Sequence, residues 1–182
     1  MRKTFFNSLT GLLALVLIVL AAQPANAQRD NSKPRPSPNA SVSQTIGTTV
    51  INVEYGRPGV KGRQIFGGLE AYGKVWRAGA NEPTTLTFEN DIMVEGQHLV
   101  AGTYNLFFRL AENGEWGAIF AKPVRWGTMY DEANKVLEVK VKAETIPNQE
   151  WLSYTFENVS EKSATLVMKW ETKMVGINIG TM

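Results

Sequence analysis

The sequence predicts an all-β protein: an antiparallel β-sandwich, jelly-roll-like, of roughly nine or ten strands with one long Gly-rich loop. Three observations carry this. Apolar residues recur at every second position in many short runs. Turn pairs such as Asn90-Asp91, Glu95-Gly96 and Asn113-Gly114 separate those runs. No segment of useful length carries apolar residues at helical period; the best helical candidate is a turn or two around Tyr130–Val136, with Asp131 as N-cap.

The chain begins with a segment that reads as an export signal. Arg2 and Lys3 precede the unbroken apolar run Leu12–Ala22, and Ala25-Asn26-Ala27 forms a small-x-small cleavage site. The run is short for a span of about 30 Å of hydrocarbon, so cleavage near Ala27 is expected, with a periplasmic or extracellular destination and no membrane attachment afterwards. Residues 28–40, QRDNSKPRPSPNA, are polar with three prolines and read as a disordered spacer. A single β-sandwich domain is expected over residues 41–182.

The strands follow in order. Thr48–Tyr55 places Thr49, Ile51, Val53 and Tyr55 on one face. Thr84–Asn90 does the same for Leu86 and Phe88, and IMV and QHLV follow as a short pair. Gly102–Leu110 aligns Tyr104, Leu106, Phe108 and Leu110; Glu115–Ala121 aligns Trp116, Ala118 and Phe120. Val136–Lys142 alternates around Leu137, Val139 and Val141, and Glu150–Asn158 around Leu152, Tyr154 and Phe156. Ser163–Trp170 and Met174–Gly180 close the series. The period-two stripes in YNLFF and TLVMKW are therefore core strands before they are ligand linings.

One connection breaks the pattern of short turns. Gly56–Pro83 spans 28 residues with seven glycines. Loops beyond about 15 residues without structure of their own are uncommon and often functional. Five basic residues against two acidic ones give it a net charge of +3. Without Arg2 and Lys3, the rest of the chain has 17 basic and 17 acidic residues, so the loop is a positive region on a neutral protein. Neutrality argues against a nucleic-acid partner, because phosphate contacts dominate that affinity. With no cysteine there are no disulfides, and burial alone must hold the fold.

The ordered series IGTTVINVEYGRPGVKGRQIFGGLEAYGKVWRAGANEPTTLTF, LVAGTYNLFF, EWGAIFAK and WGTMYDEANKVLEVKV closely resembles an exported bacterial family catalogued as domain of unknown function 2911. The resemblance covers about Ser43 to Ile179. It implies no activity, cofactor or catalytic residue. Typical members have Tyr-Ser-Arg-Pro where this chain has Tyr55-Gly56-Arg57-Pro58, and Leu-Pro-Ala-Gly where it has Leu99-Val100-Ala101-Gly102.

The long loop holds the first candidate site. Arg57, Arg63 and Arg77 suit anions or hydroxyls, Trp76 offers a stacking surface, and Asn81 and Glu82 can hydrogen-bond. The same residues suit a structural clamp, since a loop lying on a sheet must satisfy its own backbone groups. Lys122–Glu132 is the second candidate, with Trp126 and Tyr130 beside charged residues, an arrangement that suits sugar stacking and ordinary packing alike. The leading expectation is a non-catalytic binding module for a polar small molecule or glycan, held where the two loops meet, with no cofactor and no metal. The alternatives are a hydrolase pairing Glu82 with Asp131 or Glu132, and a structural or protein-interaction domain. Nucleophilic catalysis finds little to build on, because His98 is the single histidine. No calcium-loop signature appears, and the glycines lack the Gly-Lys-Ser/Thr ending of a phosphate loop.

Overall fold

The computed structural model describes residues 33–123 and 130–182. Ten strands form: β1 (Asn39–Ile46), β2 (Thr49–Gly56), β3 (Val75–Trp76), β4 (Thr84–Phe88), β5 (Ile92–Val94), β6 (Gln97–Leu99), β7 (Gly102–Arg109), β8 (Glu115–Ala121), β9 (Lys135–Glu157) and β10 (Ser163–Thr181). The only helical element among the described residues is a 3-10 turn at Glu132–Asn134, with Asp131 as its N-cap. The domain is all-β and antiparallel. One path of pairing runs β1, β2, β4, β7, β8, β9, β10, β5, β6, with β3 attached to β7. These strands belong to one compact unit, Arg35–Met182.

Alternation sets the faces, as the period-two pattern requires. Ile51, Val53, Leu86, Phe88, Leu106, Phe108, Ala118 and Phe120 from β2, β4, β7 and β8 enter one buried cluster with Leu152, Tyr154, Leu166, Met168, Trp170, Val175 and Ile177 from β9 and β10. The sheet therefore folds over onto itself and buries one face of each half, in the manner of a sandwich.

Two long strands make the fold-over possible. β9 pairs with β8 along Lys135–Lys142 and with β10 along Ala143–Glu157. β10 pairs with β9 over Thr165–Val175 and with β5 over Ile179–Thr181. The β9–β10 register shifts twice between Lys169 and Lys173, where Glu171 takes φ 52°. Such irregularities bend a strand and increase its twist, which lets one strand serve both halves. The two runs expected on either side of Pro147, and the two on either side of Thr172, are thus single bent strands.

The expected domain boundary at Ser41 falls inside β1, whose pairing begins at Asn39↔Gly56. β1 is an edge strand whose inward face is weak, with Ala40, Val42 and Ile46 against the core but Gln44 between them, so its apolar signal is faint. β3 escapes notice for another reason: it is two residues long, pairing Val75↔Arg109 and Trp76↔Phe108. Among the described residues no helix is long and apolar enough to cross a membrane.

Candidate functional site

The second half of the long loop turns inward. Ile65, Phe66, Trp76 and Ala78 are buried. The Trp76 ring lies 5.5 Å from Trp170, 5.6 Å from Phe66 and 6.0 Å from Phe108 between centroids. Ala78 sits at φ 57°, and its carbonyl accepts from the Thr84 hydroxyl at 2.9 Å and the Tyr154 hydroxyl at 2.8 Å. Gly56 is required by close approach: a Cβ there would stand 1.9 Å from the Ala80 carbonyl oxygen. Trp76 is therefore an interior plug.

The neighbours of Trp76 act locally. Asn81 donates to the Ser37 carbonyl at 2.8 Å, and Arg35 donates to both Glu82 oxygens at 2.9 and 2.8 Å. These two residues fasten the segment that leads into β1. Arg77 faces Glu70, whose carboxyl is pushed up by burial and drawn back by that guanidinium. Arg77 Nε is buried without an acceptor among the described residues, as are Trp76 Nε1, Trp170 Nε1 and Asn105 Nδ2.

The first half of the loop lies against β9 and exposes something different. Val60 N–H donates to the Glu150 carbonyl at 2.8 Å, and Leu152 N–H donates to the Pro58 carbonyl at 3.0 Å. Between them Gly59 pairs with Trp151. Leu152 and Tyr154 face the core, so the alternation turns Trp151 outward, where it is 37% exposed. Gly59 lies close beneath the ring: a Cβ there would meet Trp151 at 3.4 Å and Glu150 Oε1 at 3.0 Å.

Arg57 and Arg63 lock this pairing. Arg57 Nε donates to the Leu152 carbonyl at 2.7 Å. Arg63 donates to the Val60 carbonyl at 2.9 Å through Nε and to the Gly59 carbonyl at 2.7 Å through Nη2. Lys61 N–H donates to Glu150 Oε1 at 3.0 Å. Among the described residues, the ion pairs include none of Arg57, Lys61 or Arg63. The result is an exposed indole on a backbone pairing flanked in sequence by three cations, with the Glu150 carboxylate beside it. Trp151 was legible in the sequence from strand phase alone, because the phase that buries Leu152 exposes its neighbour.

Trp126 lies outside the described residues. Tyr130 is described, on the outer face of the sheet, where it packs with Val75 against Phe107, Ile119 and Ala121. The two loops thus touch one apolar cluster, but through Val75 and Tyr130 and not through the Arg57–Arg63 or Asn81–Glu82 groups. The Tyr130 ring is 5.3 Å from Phe107 and 6.0 Å from the Arg109 guanidinium. Its hydroxyl donates to Glu132 at 2.7 Å. Burial, then the Glu132 carboxylate, pushes the hydroxyl up to about 12. Glu132 is held at about 2, first by the Lys135 ammonium and then by Tyr130. Asp131 Oδ1 accepts from Ala133 N–H at 3.0 Å. Glu82, Asp131 and Glu132 are each engaged with their own partners.

Elsewhere, a hollow of about 330 Å³ opens where β9 leaves for β8 and β10 leaves for β5; Lys140, Lys142, Glu144, Thr165, Gly176 and Asn178 are among its lining residues. His98 Nε2 is 2.8 Å from Asp91 Oδ2, and the same carboxylate accepts from Ala101 N–H at 2.8 Å. This ties the β5–β6 hairpin to its exit, and no serine is among the hydrogen-bond partners of His98 in the described residues. No group of three or more His, Asp or Glu side chains there could hold a metal ion.

A family model described as protein of unknown function (DUF2911) matches residues 37–179, and the chain belongs to that family. No curated protein and no solved structure matches it.

Proposed function

We propose that this DUF2911 member is an exported, non-catalytic binding module for a polar small molecule or glycan, with Trp151 as the stacking surface and Arg57 and Arg63 beside it. One observation carries the reading. Trp151, a large apolar ring, is left 37% exposed on a strand whose inward neighbours are fully packed. Aromatic rings with one open face and polar groups at the rim stack on the apolar faces of sugars. The pairing of Pro58–Val60 with Glu150–Leu152 presets the ring, which lowers the ordering cost of binding. Against the hydrolase reading stands the engagement of Glu82 with Arg35 and of Glu132 with Tyr130 and Arg109.

The test is a thermal-shift screen of the purified protein and its Trp151→Ala variant against a panel of oligosaccharides and organic acids. The expected outcome is a ligand that raises the melting temperature of the parent and not of the variant. Ligands that stabilise both proteins equally would move the site elsewhere, and a panel without any stabilising ligand would overturn the reading.

A further inference from the structure

We infer that the Trp151 platform selects acidic sugars, oligosaccharides carrying uronic-acid carboxylates, over neutral ones; this rests on the binding-module reading above. The inference comes from charge around the ring. Arg57, Lys61 and Arg63 surround the Gly59–Trp151 pairing, and no ion pair among the described residues includes any of them. Two other guanidiniums in the domain are ion-paired, Arg35 with Glu82 and Arg109 with Glu138 and Glu132, whereas Arg77 is buried and in no ion pair among the described residues.

The guanidiniums are also oriented. The bonds to the Leu152, Val60 and Gly59 carbonyls engage Nε of Arg57 and Nε and Nη2 of Arg63. That leaves Nη1 of Arg63 and both Nη groups of Arg57 without an acceptor among the described residues. A guanidinium held in this way offers its remaining N–H groups to a planar carboxylate as a fork, at little further entropy cost. Lys61 is exposed and adds an unfixed charge, while its backbone N–H is occupied by Glu150. Glu150 accepts that bond beside the pairing, a position suited to a sugar hydroxyl, while a second carboxylate, Glu171, is taken up by Ile65 N–H at 2.8 Å. A ring that stacks, two oriented guanidiniums and one acceptor match a sugar with an apolar face, a carboxylate and hydroxyls. A duplex nucleic acid fits less well, because the remainder of the chain offers no matching positive field.

The experiment is calorimetric titration of the purified protein with trigalacturonate, with the neutral trimer maltotriose, and with a single-stranded oligonucleotide. Trigalacturonate should bind at least about tenfold tighter than maltotriose, a preference that shrinks as salt screens the charges. Lys61→Ala should weaken trigalacturonate several-fold and leave maltotriose unchanged. The Lys61 side chain makes no hydrogen bond or ion pair among the described residues, so that variant reads charge without removing a bond of the pairing. Trp151→Ala should abolish binding of both sugars. Equal affinity for the two trimers overturns the acidic preference and leaves the binding module standing. Binding of neither overturns both. An oligonucleotide bound as tightly as trigalacturonate, undiminished by Trp151→Ala, overturns the inference in favour of unselective charge attraction.

Discussion

Replacing Trp76 by alanine separates the two roles that its sequence context allows. The side chain is 3% exposed. Burying an indole removes about 150–250 Å² from water, worth roughly 4–6 kcal/mol at about 25 cal/mol per Å² as an upper bound. Against that, Nε1 is buried without an acceptor. Deleting an unsatisfied donor returns about 1–3 kcal/mol. The net cost of Trp76→Ala is therefore about 3 kcal/mol, near the lower end of the range for large aromatic truncations. At about 2–4 °C per kcal/mol for a domain of this size, the melting temperature should fall by roughly 6–12 °C. Trp76→Phe keeps a ring against Phe66, Phe108 and Trp170 and sheds the orphan N–H, so it should stay within about 1 kcal/mol of the parent. Urea unfolding of both variants, with m compared to confirm an unchanged unfolding surface, is the assay. A Trp76→Ala midpoint indistinguishable from the parent would show that the indole does not plug the interior. A Trp76→Phe loss equal to that of alanine would show that Nε1 does have an acceptor.

Acid sensitivity follows from Glu132. Its folded-state value is lowered to about 2 from 4.5, so its stabilisation is complete above about 4.5 and is lost as pH falls toward about 2. Melting temperatures measured across that window should fall less for Glu132→Gln than for the parent; parallel curves would refute the linkage. Arg35→Ala breaks a pair whose side chains are 27% and 31% exposed, and should cost at most about 1 kcal/mol by chemical denaturation. Gly56→Ser should cost about 2–4 kcal/mol, because the Ala80 carbonyl must withdraw and its neighbouring bond from Ala80 N–H to Gly56 O is strained; an unchanged unfolding midpoint would refute this. Tyr104→Ala should cost less than a full core truncation, roughly 2 kcal/mol, since Tyr104 stands at the rim of the core, stacked 5.6 Å from Phe88.

The alternation of apolar residues was sufficient to assign nearly every inward side chain, because a half-buried strand must alternate to bury one face. Three things escaped that logic. β1 places Ala40, Val42 and Ile46 on the core, but Gln44 interrupts that face and its other face is Ser41, Ser43 and Thr45, so the alternation is too weak to stand out. Pro147 reads as a stop, yet it lies where β9 bends and the ladder to β10 has lapsed, so no bond is lost there. The long loop was read as one object, whereas it has two halves: one buries Ile65, Phe66 and Trp76, and the other borrows Trp151 from a strand almost a hundred residues away. Contacts of that separation depend on topology, and no local pattern encodes them. The cations Arg57 and Arg63 were legible as a positive loop; the ring they surround could be reached only through the phase of a different strand.

The placement of β10 has a consequence for the order in which the molecule is assembled. The strand is last in chain order, yet it stands between β9 and the β5–β6 hairpin. As the chain emerges, β1, β2, β4, β7 and β8 can pair in succession, but the β5–β6 hairpin has no sheet to join until Ile179–Thr181 arrives. Three-residue strands in an isolated hairpin are marginal in water. Docking the hairpin onto β10 joins segments more than eighty residues apart, a pairing of high contact order. Until then Ile92, Val94 and Leu99, buried in the finished domain, have no β10 edge to dock against.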